Sequence, residues 1–404
     1  MVFLIFFGAG FGFFWFFNDV LDAWNLGGWQ AVKRVLLSPP HEYTHLDNRT
    51  GGKTPEADAP FNIVWIVPMV SFFSHQRSFI LGASISLVFL FGLLLYNRDY
   101  KNITYWFLLL GLLPFSHIHS FFSMVIITIT VFLYTFLNDK QKRKEIFLRY
   151  ILGGLLAFFI TLPQLYFLFH TIFLDKGLGK SIFKPHFGWM TCTHSKSWFF
   201  CDPNIPGTDS NVFWFWLKNF GLVFIFWLLY LIFFRQKYQN LNFLLIPSII
   251  LFSIPNLVLL QPWEFDNNKV LFYWWFLASI FSLMFLKIIL YKVYYNKLIK
   301  LILVFIFLIA TGLSGTIDIL VRVKNGILAA PDPSKSKTYF RYYGKSELEL
   351  ANWILKNTFP NDAFLTGDNA NQFIPMMTGR PIYLGYPGWL WTQGKTDLIF
   401  ERER

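Results

Sequence analysis

Long apolar stretches bounded by charged residues recur along this chain. One of them, residues 79–96, reads FILGASISLVFLFGLLLY and contains no Asp, Glu, Lys or Arg. Because a helix needs about 20 apolar residues to cross a bilayer, stretches of this kind predict transmembrane helices. The composition agrees, since 55% of the residues are hydrophobic, 21% are aromatic and only 14% are charged. We therefore expect an integral membrane protein.

The apolar stretches predict an α-helical multi-pass fold with about nine spans. The predicted spans are residues 1–17, 79–96, 103–116, 120–137, 150–173, 212–234, 242–260, 270–290 and 300–320. Residues 61–73 are too short to cross a membrane, and we expect them to be interfacial or re-entrant. Together these segments predict a polytopic transmembrane domain over residues 1–320.

The positions of Lys and Arg predict the orientation of the spans. Short loops with an excess of Lys and Arg usually face the cytoplasm. One set of alternate loops holds thirteen Lys and Arg: 97–102, 138–149, 235–241 and 287–300. The long loops 18–60 and 174–211 then lie on the outer side. The host membrane would be the endoplasmic reticulum in a eukaryote and the plasma membrane in a bacterium. Because the net charge of +12 is spread over several loops, we expect no nucleic-acid partner.

The region 321–404 has fewer aromatic residues and predicts an extracytoplasmic or lumenal α/β domain. A helix is expected at 346–358, followed by two short strands that end at Asp368-Asn369 and before Tyr386 and Trp389. In a right-handed βαβ unit, residues that follow parallel strands share the carboxyl edge, where ligands bind. The alternative is two solvated loops. Two strands make no stable sheet, so we expect an incomplete domain of a longer chain.

Cys192 and Cys201 are the two cysteines of the chain and lie in the same predicted outer loop. An oxidising compartment on that side favours a disulfide between them. The alternative is two unrelated thiols.

Two histidine motifs suggest metal binding. The segment HEYTH, residues 41–45, matches the H-E-x-x-H pattern in which His41 and His45 bind zinc on a helix. Two prolines directly before it and a polar loop after it do not favour a long helix, so metal binding without proteolysis is a second interpretation. His117 and His119 form a weaker candidate pair, because residues two apart point in nearly opposite directions on a regular helix.

The segment QPWEFDNNK, residues 261–269, is the strongest site candidate. It interrupts two apolar stretches, so its simplest interpretation is a turn. Glu264 and Asp266, held near the membrane surface, could also act as a general base or bind a divalent ion. Lys269 could neutralise a phosphate. Arg77 could bind a phosphate or serve as an interfacial anchor.

Several segments together resemble a known superfamily. They are FFGAGFGFFWFF, VPMVSFFSHQRSFILG, GLLPFSHIHSF, QPWEFDNNKVLFYWW and NWILKNTFPNDAFLTGDNANQFIPMMTGRPIYLGYPGWLW. The chain resembles a group of large polytopic proteins similar to the C-type membrane glycosyltransferases, which use dolichyl- or polyprenyl-phosphate sugars.

The resemblance implies transfer of a sugar from a lipid-phosphate carrier at the outer or lumenal face, often with a divalent metal ion. It implies Arg77 and Lys269 as ligands of the carrier phosphate, and Glu264 or Asp266 as catalytic or metal-binding carboxylates. Sugar or acceptor binding would fall to Asp368, Asn369, Tyr386 and Trp389. The principal catalytic acid of such enzymes, in the first outer loop, would precede Met1. The alternatives are a transporter or flippase of a lipid or anionic solute, and a membrane metalloprotease that uses HEYTH.

Overall fold

The computed structural model of the protein is predominantly helical. It describes residues 1–46, 62–74, 76–96, 100–169, 183–191, 211–233, 243–292, 296–329, 344–367, 372–392 and 398. The helices found there are α1 (Val2–Phe7), α2 (Phe13–Leu37), α3 (Arg77–Tyr96), α4 (Tyr100–Ser116), α5 (Ile118–Asn138), α6 (Arg143–Phe169), α7 (Val212–Phe233), α8 (Leu245–Leu257), α9 (Asn268–Lys292), α10 (Lys297–Ala329), α11 (Lys345–Asn357), α12 (Phe373–Thr378) and α13 (Pro387–Thr392). Two short strands, β1 (Lys184–Pro185) and β2 (Val258–Leu259), pair antiparallel.

Six helices in the described residues are long and apolar enough to cross a membrane: α3, α5, α6, α7, α9 and α10. They coincide with six of the predicted spans, and a multi-pass helical membrane protein is the class that they support. The predicted spans 103–116 and 242–260 correspond to the shorter apolar helices α4 and α8. In the described residues, six helices are long enough to span a membrane, whereas about nine spans were expected.

The prediction of one helix over residues 1–17 is wrong. The short helix α1 ends at Phe7, and residues 8–12 are not helical. This segment is held by long-range hydrogen bonds, for example from the Phe11 N–H to the carbonyl of Lys218 at 2.8 Å. At Gly10 a Cβ atom would collide with the backbone of Lys218. Glycine is required because the two backbones come too close for any side chain.

The chain divides into two compact units. Unit 1 comprises Met1–Leu168, Lys184–Leu259 and Glu264–Val321, and unit 2 comprises Phe169–Phe183, Leu260–Trp263 and Arg322–Arg404.

Unit 1 is a helical bundle with an aromatic core. Helix α9 packs against both α7 and α8, and α3 packs against α4. The non-helical segment 62–68 runs into this bundle, where Trp65 is buried against Phe220 at 5.3 Å and Trp275 at 5.4 Å between ring centroids. Residues 61–73 were expected to be interfacial or re-entrant. The described part of this segment is largely buried in unit 1, and its position relative to a membrane stays a prediction.

Unit 2 contains α11, α12 and α13. The Phe364 N–H donates to the Pro381 carbonyl at 3.0 Å and the Tyr383 N–H donates to the Phe364 carbonyl at 2.8 Å. These bonds form one parallel bridge between Phe364 and Ile382. The two segments run parallel as predicted, but the described residues form a single bridge and not a sheet.

Candidate functional site

The predicted loop 261–269 folds into a 3₁₀ turn, Glu264–Asn267, that leads directly into α9. The side chain of Asn267 is buried and donates to two backbone carbonyls near the end of α8, at 3.0 and 2.9 Å. Trp189 donates its indole N–H to the Glu264 carbonyl at 3.1 Å. Because its own Asn267 side chain and the indole of Trp189 tie it to two other segments, the turn holds its polar residues in fixed positions.

Asp266 and Lys269 form an ion pair at the start of α9. The Lys269 Nζ lies 3.0 Å from Asp266 Oδ1, and the two side chains are 15% and 13% exposed. A buried ammonium is tolerated only when a nearby anion balances its charge. Asp266 supplies that anion and fixes the position of the ammonium.

His117 and His119 lie at the start of α5. The backbone of His117 is extended, which ends α4 and separates it from α5. Its ring then caps α5, because Nδ1 accepts the Ser120 backbone N–H at 3.2 Å. The rings of His117 and His119 are 5.3 Å apart between centroids and inclined by 34°. The irregular backbone thus brings together two side chains that a regular helix would separate.

The positive charge of Lys269 acts on His117. The Asp266–Lys269 ion pair and the His117–His119 pair are therefore treated as one candidate site. Burial of the ring, and secondarily the positive charge of Lys269, lowers the pKa of His117 to about 3. His117 is therefore neutral at physiological pH. Since its Nδ1 is an acceptor, the single proton of the neutral ring is on Nε2. His117 thus presents an N–H donor within electrostatic range of Lys269.

A chain of hydroxyl groups supports His117 from inside the bundle. Ser120 Oγ lies 2.8 Å from His117 Nδ1, the Tyr273 hydroxyl lies 2.5 Å from Ser120 Oγ, and Ser86 Oγ lies 3.2 Å from the Tyr273 oxygen. Tyr273 donates to Ser120, and the Ser120 hydroxyl can in turn donate to His117 Nδ1. These side chains come from α3, α5 and α9 and are buried. The network favours the tautomer with the proton on Nε2.

This arrangement is suited to an anion that carries several oxygens. Lys269 supplies a positive charge and His117 supplies an N–H donor that is 8% exposed. The amino-terminal ends of α5 and α9 add partial positive charge at the same place. His119 has no hydrogen-bond partner for its ring among the described residues.

Two further predicted residues lie near this site. Glu264 belongs to the 3₁₀ turn and is partly exposed. Arg77 is the first residue of α3 and is exposed, and two residues later the Phe79 ring packs edge-to-face on His117 at 5.1 Å. Among the described residues Arg77 makes no hydrogen bond or ion pair. Its role stays a prediction.

The predicted sugar-binding residues belong to unit 2. Tyr386 and Trp389 pack edge-to-face at 5.8 Å where α13 begins. Asp368 and Asn369 lie outside the described residues, as do both cysteines of the predicted disulfide, Cys192 and Cys201.

The HEYTH segment is not a helix. Residues 41–46 form an irregular turn, and Asp318 of α10 accepts the backbone N–H groups of Tyr43 at 2.7 Å and Thr44 at 2.8 Å. His41 and His45 are not placed one helical turn apart, as zinc-dependent proteases require. The nearest carboxylate oxygen to His41 Nε2 is that of Asp19, at 3.9 Å.

Metal ligands do not gather at either histidine motif. In the described part of the chain, no group of three or more His, Cys, Asp or Glu side chains could hold a metal ion. At His117 the reason is visible, because Nδ1 already accepts from Ser120. Ligation by Nε2 would require the proton to move to Nδ1, where it would face the Ser120 N–H donor.

Sequence reasoning missed the supporting residues Tyr273, Ser120, Ser86 and Trp189. A single Ser or Tyr within an apolar helix is common, and nothing in its spacing shows which other helix it meets. Only the packing of α3, α5 and α9 reveals the network.

Comparisons with known proteins give no name for this arrangement. No family model matches the chain, and neither a curated protein nor a solved structure matches it.

Proposed function

We propose that this protein is an integral-membrane glycosyltransferase-like enzyme that takes a sugar from a lipid-phosphate carrier. The observation that carries the proposal is the Asp266–Lys269 pair at the start of α9, within electrostatic range of His117, which caps α5. A phosphate attached to a lipid lies at the membrane surface, where the ends of spanning helices also lie. Donors at this depth act in a partly dry site, where they are stronger than in water.

Each residue has a separate role in this proposal. Lys269 and the Nε2–H of His117 bind phosphate oxygens, and Asp266 orients Lys269. Glu264 is the candidate general base, because it is partly exposed on the anchored turn. A carboxylate of this turn would hold a divalent metal ion, which would supply positive charge for the phosphate, and the ion itself stays a prediction.

Sugar transfer in membranes tests the proposal. Membranes that contain the full-length gene product are supplied with polyprenyl-phosphate donors carrying a radiolabelled sugar. We expect transfer by the wild type, a loss of about a hundredfold or more in Glu264→Gln, and a smaller loss in Asp266→Asn. Equal transfer by all three proteins at equal expression would remove both carboxylates from catalysis.

A transporter or flippase of a lipid or anionic solute is the second candidate. Lys218 in α7 and Asp318 in α10 are buried charged residues, at 3% and 1% exposure, and α7 is interrupted at Gly221, where φ is 55°. Interrupted helices with buried charges are typical of transporters. Asp318, however, already accepts three hydrogen bonds from Tyr43 and Thr44. The test uses proteoliposomes that contain the protein and a labelled lipid. Movement of the lipid from one bilayer leaflet to the other, without formation of a glycosylated product, would favour the transporter.

A further inference from the structure

An apolar cavity lies between α4, α5 and α6 and begins one turn along α5 from His117. It has a volume of about 280 Å³. Along α5 it extends from Phe121 to Phe132, which corresponds to roughly 16 Å at the rise of an α-helix. A cavity of this length is a slot that can accommodate one extended hydrocarbon chain.

The described walls of the cavity are mostly apolar, and two of their three hydroxyl groups donate to the backbone of their own helices. The hydroxyl of Thr128 donates to the Met124 carbonyl at 2.7 Å, and that of Thr161 donates to the Ala157 carbonyl at 2.7 Å. Water in such a cavity would find few polar partners, which favours an apolar occupant. The side chains that line an empty slot lack van der Waals partners, and a lipid chain that enters the slot supplies them.

The cavity opens toward the lipid. Ile129, Ile151 and Phe158 line it and are 51%, 45% and 47% exposed. Gly154 also lines it, and a Cβ atom added there would meet nothing within 4 Å. Its neighbour Gly153 is different, because a Cβ there would collide with Phe107. Gly153 therefore allows close packing of α4 on α6, whereas Gly154 contributes to the open slot.

One end of the slot leads to a basic loop. Phe132 packs on Tyr150 at 5.1 Å and on Phe136 at 5.5 Å between ring centroids. The guanidinium of Arg143 lies over the Phe136 ring at 5.5 Å. Arg143 also falls on the cavity-facing stripe of α6, seven residues before Tyr150.

The net positive charge of the segment 138–149, which connects α5 to α6 and includes the start of α6, favours lipids with an anionic headgroup. Residues 138–149 contain five basic and two acidic residues. Arg143 donates to the carbonyls of Phe136 at 3.0 Å and Leu137 at 3.2 Å, which uses two of its five N–H donors. The remaining donors and the exposed side chains of Lys140 and Lys144 can meet a phosphate.

We propose that this slot binds one acyl chain of an anionic phospholipid, whose phosphate is bound by Arg143 and by the lysines of the 138–149 loop. Basic residues next to spanning helices attract anionic headgroups, each by a factor of about five. This proposal does not rest on the proposed function, because it uses other residues. The slot begins at Phe121, one helical turn after His117, and its basic residues lie at the opposite end of α5.

Lipid retention measured by native mass spectrometry tests the proposal. The purified chain is exchanged into detergent with palmitoyl-oleoyl phosphatidylglycerol or with phosphatidylcholine of the same acyl chains. We expect one phosphatidylglycerol to be retained at least tenfold more tightly than phosphatidylcholine. Gly154→Leu should abolish retention of both lipids, and Val125→Phe fills the slot from α5 as a second variant. Lys140→Gln with Lys144→Gln should reduce the preference for phosphatidylglycerol and leave the weaker retention of phosphatidylcholine unchanged.

Two matched controls belong to this experiment. Phe159→Leu changes a residue of α6 that is 65% exposed and does not line the cavity, and Lys297→Gln removes a charge at the start of α10. Both controls should retain lipid like the wild type. Equal retention of the two phospholipids by the wild type would overturn the headgroup assignment. Wild-type retention by folded Gly154→Leu and Val125→Phe proteins would overturn the chain-binding slot.

Discussion

At the scale of single residues, His117 connects the backbone, the buried network and the candidate site. Its ring ends one helix and begins the next, and it presents a single donor toward Lys269. The sequence indicated a histidine pair with a weak preference for metal. The backbone N–H and the hydroxyl of Ser120 both contact Nδ1 of His117, which places the ring proton on Nε2. The ring is therefore better suited to donate a hydrogen bond than to bind a metal.

Removal of the Tyr273 hydroxyl tests the supporting network. Tyr273→Phe leaves Ser120 and Ser86 without a shared partner, and we expect the free energy of unfolding to fall by about 1–3 kcal/mol. We also expect part of the His117 population to shift to the other tautomer. The ¹⁵N chemical shifts of the two ring nitrogens measure this, with His117→Gln used for assignment. Unchanged shifts in Tyr273→Phe would show that the network does not set the tautomer.

The low pKa of His117 predicts a pH dependence of stability. The pKa is about 3 in the folded protein and about 6.5 in the unfolded chain. The unfolded chain therefore binds a proton first as the pH falls below 6.5, and the folded state loses stability between that pH and about 3. The maximum slope is about 1.4 kcal/mol per pH unit. Thermal unfolding at pH 7, 6 and 5 should show a steeper loss in the wild type than in His117→Gln, and parallel losses would contradict this explanation.

At the scale of elements, the buried polar side chains of unit 1 hold the non-helical segments. Asn219 shows this most completely, since its Oδ1 accepts the N–H groups of Val64 at 2.8 Å and Trp65 at 2.9 Å. Its Nδ2 donates to the carbonyls of Asn62 at 3.1 Å and Phe215 at 3.0 Å. Irregular backbone at membrane depth must be satisfied by protein groups, and these side chains satisfy it.

A comparison of two asparagines tests this role. Asn219→Ala leaves several buried backbone groups without partners, so we expect a loss of about 3 kcal/mol or more in the free energy of unfolding. Asn138 is exposed, and its side chain donates to one carbonyl of its own helix. Asn138→Ala should therefore cost less than about 0.5 kcal/mol. Similar losses in both variants would contradict the anchoring role.

Elements that depend on local sequence could be predicted, whereas elements held by long-range hydrogen bonds could not. Apolar length is a local property, and it correctly identified the positions of the six long helices. The break at residues 8–12 depends on contacts with α7 and α10 that lie far away in the sequence. Glycines in an apolar stretch do not show by themselves whether a helix continues through them.

At the scale of the whole molecule, the candidate site and the basic 138–149 loop lie at opposite ends of α5. The loop joins α5 to α6, whereas His117 begins α5. The site was only partly predictable for a related reason. The sequence identified Asp266, Lys269 and both histidines as candidates, but their assembly depends on the packing of α5 beside α9.

Cysteine labelling tests the predicted orientation. In a chain with Cys192 and Cys201 replaced by Ser, Lys140→Cys should react with a membrane-impermeant maleimide only from the cytoplasmic side. Lys345→Cys, in α11, should react only from the other side, because the C-terminal region is predicted to be non-cytoplasmic. Reaction of both cysteines from the same side would overturn the predicted topology.

Binding of a polyprenyl phosphate to the purified protein is the most direct test of the central claim. The affinity of the wild type is compared with that of Lys269→Gln, and Lys345→Gln serves as the control because its side chain is 85% exposed and lies in α11. We predict at least tenfold weaker binding by Lys269→Gln, wild-type affinity for Lys345→Gln, and equally weak binding of the unphosphorylated polyprenol by all three. Wild-type affinity in a folded Lys269→Gln protein would contradict the assignment of the phosphate site to the start of α5 and α9.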